Sequence, residues 1–235
     1  MIRYGGASQI GKTHIMSKLP NQDSLLIYRS KKRKKEVVLT LADGLGSHKH
    51  SQIGSLAITE AVKCNAHILN DESKKDLFIK KVMAKYKKLI SPYDISECGT
   101  TCIFAIIFRE KVCFGQIGDG ICCYKINDNF KILQEKDSAF LNETVSVTSK
   151  NSEKKWVISY EKNYSHLQIM LATDGVADDL VDDMREVFLQ RLCDNTIGYN
   201  SQKINKLISS LFDNWERPFS YDDKTMILCF KENKK

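Results

Sequence analysis

The chain has 235 residues, a length that suits one globular domain better than two. Hydrophobic residues make up 42% and charged residues 28%, which is an ordinary balance for a globular protein. No apolar run approaches the roughly 20 residues that a membrane-spanning helix needs. Composition therefore excludes a helical membrane protein and predicts a single domain over residues 1–235.

The net charge of +7 comes mostly from lysines, which cluster in the KKRKK run at 31–35 and along residues 74–88. The KKRKK run has none of the interleaved aromatic residues that a nucleic-acid patch would use. A solvated loop tip and a solvated helix face are the preferred interpretations. The charge indicates only a weak preference for acidic partners such as phosphoproteins. We predict no nucleic-acid partner and no membrane partner.

The eight cysteines are interpreted as free thiols rather than as a disulfide framework. Five lie inside apolar, strand-like runs, where a thiol behaves as a small hydrophobic group. These are Cys102, Cys113, Cys122, Cys123 and Cys229. The stretch MIRYGGASQI has no apolar signal core, so export is not expected and a cytoplasmic location is.

Hydrophobic periodicity predicts groups of short strands separated by pairs of helices. This is not the strict strand–helix alternation of a parallel sheet. In chain order the predicted elements are strands at 25–30 and 36–43, helices at 52–70 and 75–90, strands at 100–108, 111–119, 121–126, 130–133 and 167–174, helices at 178–192 and 201–213, and a strand at 224–230.

The stretch GASQIGKT at 6–13 matches the G-x-x-x-x-G-K-[ST] pattern of a phosphate-binding loop. A nucleotide site of this kind also needs a buried strand before the loop and a helix after it, because backbone N–H groups hold the phosphates. Only five residues precede Gly6, and Pro20 limits any helix that follows. A first strand with a glycine-rich bend is therefore preferred, and a nucleotide hydrolase is kept as a third alternative.

Acidic residues recur where apolar strands end. Three strands end in Asp-Gly, and an Asp-Asp pair opens the last strand. One Asp-Gly is usually only a turn, but strands that lie side by side would bring several carboxylates to one edge. The candidates are Asp23, Asp43, Asp119, Asp174, Asp222 and Asp223.

Converging carboxylates repel one another unless a cation lies among them. Hard oxygen ligands select Mg²⁺ or Mn²⁺. Two such ions about 3.5–4 Å apart can share a water and lower its pKa, so that hydroxide attacks a phosphorus in line. The pattern therefore predicts metal-dependent hydrolysis of a phosphate ester without a covalent intermediate.

Six motifs in chain order resemble the metal-dependent protein serine/threonine phosphatases of the type 2C class, the PPM family. They are NQD at 21–23, ADG at 42–44, GTT at 99–101, GD at 118–119, TDG at 173–175 and DDKT at 222–225. The resemblance covers nearly the whole chain. It implies an α+β fold, a four-layer α/β/β/α sandwich in which two antiparallel sheets pack face to face with helix pairs on the outer faces.

The resemblance also implies metal ligands for two Mn²⁺ or Mg²⁺ ions. Asp43 would bridge both ions, and Gly44 would offer its carbonyl. Asp174 would hold one of the two ions together with Asp222. Asp23 matches the aspartate of the family's early Asn-Glu-Asp motif.

A third, weaker ion would be held by Asp119 and Asp178, which resemble a second acidic pair of the family. Asp223 takes the place of the family's usual Asn, so either member of the Asp222–Asp223 pair could be the ligand, and Asp222 is favoured. Gln22 stands where a Glu usually holds a metal-bound water, and an amide brings no charge to that place.

Two further residues are candidates for catalysis beside Asp43. Lys18 occupies the place of an Arg that often grips the substrate phosphate in the family, and a lysine lacks the bidentate fork of that Arg. His14 is a candidate for phosphate contact or proton delivery. The segment 135–155 is the nearest equivalent of the family's substrate-selecting flap.

The resulting hypothesis is a cytoplasmic, monomeric phosphatase that hydrolyses phosphoserine and phosphothreonine on proteins. Its expected partners are a phosphorylated protein substrate and a cognate serine/threonine kinase or the targets of that kinase. The alternative is a catalytically weak pseudophosphatase that acts as a phosphoprotein-binding regulatory module. Gln22 and Lys18 motivate that alternative.

Overall fold

The computed structural model describes residues 1–31, 36–133, 145–215 and 219–231. Its described residues form two five-stranded antiparallel sheets. The first sheet has the order β1 (Ile2–Gln9), β10 (Lys224–Lys231), β9 (Leu167–Ala172), β6 (Ile121–Ile126) and β7 (Asn129–Ile132). The second sheet has the order β2 (Ser24–Arg29), β3 (Val37–Ala42), β4 (Cys102–Ile107), β5 (Lys111–Ile117) and β8 (Val157–Lys162).

Two pairs of helices cover the outer faces of the sheets. The second sheet carries α2 (Ser51–Asn65) and α3 (Lys75–Ile90), and the first carries α5 (Arg185–Asn195) and α6 (Ser201–Asp213). Two short helices, α1 (Lys12–Ser17) and α4 (Asp174–Ala177), lie beside the chain segments that bear the candidate aspartates. The predicted four-layer α/β/β/α sandwich is confirmed.

Three buried clusters of side chains hold these four layers together. The middle cluster joins the inner faces of the two sheets and includes Leu39, Phe114 and Ile227. The outer clusters join each sheet to its helix pair, with Phe104 under α3 and Met170 under α5. Because β3, β4 and β10 are covered on both faces, they are made mostly of apolar residues, and the sequence predicts all three as strands.

The structure differs from the predicted elements in three places. Strand β9 ends at Ala172 rather than at 174, because Thr173 caps the short helix α4 that starts at Asp174. The helix predicted from 178 starts only at Arg185, after a turn of 3₁₀ helix at Asp182–Met184. Strand β8 was not predicted, since it is an edge strand that is only half buried and lacks a clear period.

The GASQIGKT stretch forms the end of β1, a bend and the start of α1. β1 is an antiparallel strand at the edge of its sheet, whereas a phosphate-binding loop follows a buried strand and opens onto a helix. The preferred interpretation, a strand with a glycine-rich bend, is confirmed. The nucleotide-hydrolase alternative is wrong because the fold around the motif is different.

The cysteines are free thiols, and seven of the eight are buried, as expected; Cys64 is exposed. Among the helices of the described ranges, none combines the length and the apolar character needed to cross a bilayer. Most of the KKRKK tip and the first half of the 135–155 segment lie outside the described residues.

Candidate metal centre

Asp43 follows β3 directly and is held by the Gly-Thr-Thr segment of the neighbouring strand. Its N–H donates to the Thr101 hydroxyl at 3.0 Å, and its carbonyl accepts from the Thr101 N–H at 2.8 Å and from the Thr100 hydroxyl at 2.7 Å. The backbone of Asp43 is therefore fixed on both sides. This explains why two threonines stand at 100–101 in a chain segment that is otherwise apolar.

Gly44 lies where three backbone segments meet. A Cβ there would lie 2.8 Å from the carbonyl of Ser51, at the start of α2, and 2.9 Å from the carbonyl of Gln22. Such distances are too short for any side chain. The glycine thus allows the turn after Asp43 to pack directly against α2 and against the segment before β2.

The carboxylates of Asp43, Asp119 and Asp174 converge at one end of the two sheets. One oxygen of each lies within 4.8 Å of the others, although the three residues are far apart in the chain. Asp174 begins α4 after β9, and the exposed Asp119 follows β5 in a turn. Oxygen ligands at this spacing fit Mg²⁺ or Mn²⁺.

Burial and neighbouring charges raise the carboxyl pKa of two aspartates of this group, Asp43 and Asp174, and of the nearby Asp23. Burial and then the charges of neighbouring aspartates raise the pKa of Asp43 well above its ordinary value. Burial raises the pKa of Asp23 to about 7, and burial together with Asp119 raises that of Asp174 to about 6. One buried oxygen of Asp23, Oδ1, has no hydrogen-bond partner among the described residues. This donor set fits divalent cations, which would hold the carboxylates in their ionised form.

Asp222 and Asp223 differ in solvent exposure and in hydrogen bonding, although they are adjacent in the chain. The Asp222 side chain is 47% exposed and lies close enough to Asp43 and Asp174 to raise the pKa of both. The Asp223 side chain is 2% exposed and accepts hydrogen bonds from the backbone N–H groups of Gly11 at 2.7 Å and Gln22 at 2.6 Å. Asp222 therefore has the more accessible carboxylate of the pair, it lies outside the group of Asp43, Asp119 and Asp174, and its role as the ligand stays a prediction.

Asp178 lies at the C-terminal end of α4 and is exposed. Partial burial and the charge of Asp119 raise its pKa, so these two carboxylates are neighbours, as the predicted third site requires. Asp178 does not belong to the three-carboxylate group, which among the described residues contains Asp43, Asp119 and Asp174.

Comparison with known proteins identifies the family. A family model described as protein phosphatase 2C matches residues 10–209 of the chain. The chain belongs to the protein phosphatase 2C family. The predicted resemblance and the predicted enzyme class, a metal-dependent protein phosphatase, are confirmed, and Mn²⁺ or Mg²⁺ is the cofactor of this family. No curated protein sequence matches the chain.

Several solved structures share the fold. The serine/threonine phosphatase Stp1 from Staphylococcus aureus is 19% identical at a TM-score of 0.66, with 99% of this chain and 96% of that chain covered. The serine/threonine phosphatase of S. agalactiae is 16% identical at a TM-score of 0.69, with 99% of this chain and 100% of that chain covered. The catalytic domain of the phosphatase PstP, in complex with two manganese ions, is 17% identical at a TM-score of 0.62, with 98% and 99% covered.

The two residues predicted to take part in catalysis beside Asp43 in this phosphatase 2C chain lie in different surroundings. Lys18 is exposed at the C-terminal end of α1, in a left-handed backbone conformation with φ of 56°. His14 is 8% exposed, and its Nδ1 lies 2.9 Å from Asp223 Oδ2. The imidazole is thus directed at a buried carboxylate, and the role predicted for Lys18 stays a prediction.

Sequence reasoning missed several residues that support the phosphatase site. The Thr173 hydroxyl donates to Asp23 Oδ2 at 2.9 Å. The buried Lys224 donates to the Gly175 carbonyl and to Asp179 Oδ2. A lysine inside the apolar run KTMILCF was the available signal for this buried ion pair, because a lysine is almost never fully buried unless it is paired.

Proposed function

We propose that the protein is a serine/threonine phosphatase that hydrolyses phosphoserine and phosphothreonine on proteins, without a covalent intermediate. The observation that carries the proposal is the convergence of the carboxylates of Asp43, Asp119 and Asp174, in which burial and neighbouring aspartates raise the carboxyl pKa of Asp43 and of Asp174. The two manganese ions in the PstP structure support two ions in this chain.

In this proposal different aspartates are the ligands of different metal ions. Asp43 and the Gly44 carbonyl would serve the two main ions, and Asp174 and Asp222 would hold one of the two. Asp119 and Asp178 would hold a third, weaker ion. Asp23 accepts the Thr173 hydroxyl on one oxygen, and its other oxygen, which has no partner among the described residues, would accept from a metal-bound water.

The chemistry needs a nucleophile and charge screening. Two bound divalent cations lower the pKa of a shared water and screen the charge of the phosphoryl oxygens. The protein's own contribution is to fix the ligands before substrate arrives, through the Thr100 and Thr101 contacts to Asp43 and the Thr173 contact to Asp23. Lys18 is proposed to approach the substrate phosphate from the end of α1.

The test is a phosphatase assay on the full chain. A phosphothreonine peptide and p-nitrophenyl phosphate are assayed with Mn²⁺, with and without EDTA. We expect turnover only with metal, and a loss of more than about a hundredfold in kcat/KM for Asp43→Asn, since even residues that only support a ligand cost about 10–100-fold. Asp128→Asn, at an exposed hairpin turn, is the matched control and should retain full activity. Metal-independent turnover, or full activity of Asp43→Asn, would contradict the proposal.

The pseudophosphatase alternative predicts a different result in the same assay. It would bind the phosphopeptide without turnover, with weak or no Mn²⁺ uptake. Gln22 remains its motivation, because the amide brings no charge, but the three converging carboxylates are all present. We therefore propose the active enzyme.

We further propose that residues 1–235 act as one phosphatase domain, as a monomer in the cytoplasm. The proposed partners are a phosphorylated protein and a cognate serine/threonine kinase or its targets. Seven buried free thiols support a reducing compartment.

A further inference from the structure

Gln22 joins the two chain segments that carry the proposed ligands Asp43 and Asp222, and it ties both to α2. Its N–H donates to Asp223 Oδ2 at 2.6 Å. Its carbonyl accepts from the Gly44 N–H at 3.2 Å and from the Ser55 hydroxyl at 2.6 Å. One residue in an extended segment thus links the turn after β3, the start of α2 and the turn before β10.

Asp223 is the acceptor at the centre of this junction. It takes the N–H of Gly11 on Oδ1, and the N–H of Gln22 and Nδ1 of His14 on Oδ2. Because Asp223 Oδ2 also accepts the Gln22 N–H, we assign to His14 the tautomer in which Nδ1 carries the proton and donates to Oδ2. Both residues are more than nine-tenths buried, and the contacts are therefore shielded from water.

The GKT end of the GASQIGKT motif is part of the same junction. The N–H of Thr13 donates to the Tyr221 carbonyl at 3.3 Å, and Gly11 packs so closely that a Cβ would lie 2.6 Å from the Asp222 carbonyl. The first turn of α1 therefore wraps around residues 221–223. Its backbone amides bind this loop of the protein rather than a phosphate.

Asp222 depends on this packing for its orientation. Its side chain is 47% exposed, and Oδ1 accepts the N–H of Asp223 at 2.8 Å. His14 Nδ1 lies 3.8 Å from the same Oδ1. A shift of Asp223 would consequently move the Asp222 carboxylate relative to Asp43 and Asp174.

We propose that His14 and Asp223 are positioning residues, which set the place of Asp222 through the Gly11 and Gln22 contacts and thereby set the affinity for Mn²⁺. His14 is then not the proton donor of the reaction. The inference rests on the proposed function for the identity of the ligands, but it concerns how tightly the metal is held. The start of α1, whose sequence matches a phosphate-binding loop, would thus position a metal ligand rather than bind a nucleotide.

The test compares two substitutions of His14. His14→Ala removes the Nδ1 donor, whereas His14→Asn places an amide N–H close to the position of Nδ1. Calorimetry should show a Kd for Mn²⁺ about tenfold weaker in His14→Ala, as is typical when support of a metal ligand is lost. His14→Asn should recover the affinity to within about threefold of the wild type, as should the matched control His67→Ala at an exposed position.

Kinetics distinguishes positioning from proton transfer. The Mn²⁺ concentration for half-maximal activity should rise about tenfold in His14→Ala, in step with the Kd. At saturating Mn²⁺ its kcat should recover, and the alkaline side of its pH profile should match that of the wild type. An unchanged Mn²⁺ Kd combined with a kcat loss shared by His14→Ala and His14→Asn would overturn the inference in favour of proton delivery.

The outcomes separate this inference from the proposed function. If the wild type binds Mn²⁺ but hydrolyses no phosphopeptide, the proposed function fails while the ratio of Kd values still tests positioning. If the wild type is active and His14→Ala binds Mn²⁺ equally well, only the positioning role fails. Should His14→Ala not fold, His14→Gln replaces it, since it is polar but does not place an N–H at the Nδ1 position, and the same weakening is expected.

Discussion

Aspartates lie in two different surroundings in this phosphatase, and their carboxyl pKa values are shifted in opposite directions. The open cluster, defined as Asp23, Asp43 and Asp174, has carboxyl pKa values raised by burial and mutual repulsion. In the second place, Asp179 forms an ion pair with Lys224, whose Nζ lies 3.0 Å from Asp179 Oδ2. Burial by itself would raise the pKa of Asp179, but hydrogen bonds from its neighbours outweigh burial, and the pKa lies below its ordinary value.

The number of donors explains this difference. Asp179 accepts from the Trp215 indole N–H and from the N–H groups of Phe219 and Ser220, in addition to Lys224. The open cluster receives few such donors, and one buried oxygen of Asp23 receives none among the described residues. The buried aspartate that the protein satisfies is therefore structural, and we propose that the aspartates it leaves without enough donors are the ones that bind a cation.

The largest effect on stability is expected from removing the ion pair between Asp179 and Lys224. Lys224→Met removes the cation and leaves Asp179 buried without its charge partner, which should lower the free energy of unfolding by about 3–5 kcal/mol. Urea unfolding of the metal-free protein measures it. The double variant Asp179→Asn with Lys224→Met should recover a substantial part of the loss. A loss in the double variant as large as in the single one would show that the charge is not the cause.

The open cluster should make the free energy of unfolding of the metal-free protein depend on pH. Its folded pKa values, about 7 for Asp23 and about 6 for Asp174, lie above the unfolded value of 3.8, so the folded state binds protons more tightly. This stabilisation is complete below about pH 4 and is lost as pH rises through the folded pKa values. In EDTA we expect the free energy of unfolding to fall by on the order of 3 kcal/mol between pH 4 and pH 8.

Manganese should reverse that trend, because a cation favours the ionised carboxylates. Saturating Mn²⁺ is expected to raise Tm more at pH 8 than at pH 5, as thermal scans at both values would show. A Tm in EDTA that rises steadily from pH 4 to pH 8 would mean that the carboxylates are not repelling one another.

A smaller effect is expected when one carboxylate of the open cluster is neutralised. Asp43→Asn removes a carboxyl whose ionisation is opposed by burial and by the charges of Asp23 and Asp174, so the metal-free protein at pH 8 should gain about 1–2 kcal/mol in free energy of unfolding. The same variant should lose the stabilisation by Mn²⁺. Asp128→Asn, on the exposed turn, should leave both quantities unchanged, and a destabilised Asp43→Asn would argue that Asp43 is structural.

The smallest effect concerns the uncharged neighbour of the cluster. Gln22 is 5% exposed, and its Oε1 has no hydrogen-bond partner among the described residues. Gln22→Glu adds a carboxylate at this place, so Mn²⁺ affinity should tighten by about tenfold or less while metal-free stability at pH 8 falls. Calorimetric titration with Mn²⁺ measures the first, and an affinity that weakens would mean that Gln22 does not face the metal waters.

Much of the sandwich could be predicted because its central strands are covered on both faces. The runs VVLTLA of β3 and CIFAII of β4 are apolar except for Thr40, a pattern that indicates burial on both faces. The edge strand β8 could not be predicted, because a half-buried strand at a sheet edge needs no such run. The start of α4 at Asp174 was missed because the apolar run LQIMLATD predicts a strand up to that residue, whereas the Thr173 carbonyl already accepts the N–H groups of Val176 and Ala177.

Asp-Gly signals and motif order were enough to propose which acids form the metal site, because the turn residues stand next to each strand in the sequence. The difference between Asp222 and Asp223 was not readable, since it depends on donors from Gly11, His14 and Gln22, some 200 residues away. The role of the GKT motif was likewise decided by what packs against α1.

The sequence by itself determined which strands are buried, which residues end them and which chemistry their carboxylates favour, because apolar periodicity and turn preferences act over a few neighbouring residues. The tertiary structure alone decided which aspartates are satisfied by N–H groups and which are left for a cation. Hydrogen bonds reach only about 3 Å, so the donors of each carboxylate are known only once distant segments have been brought together.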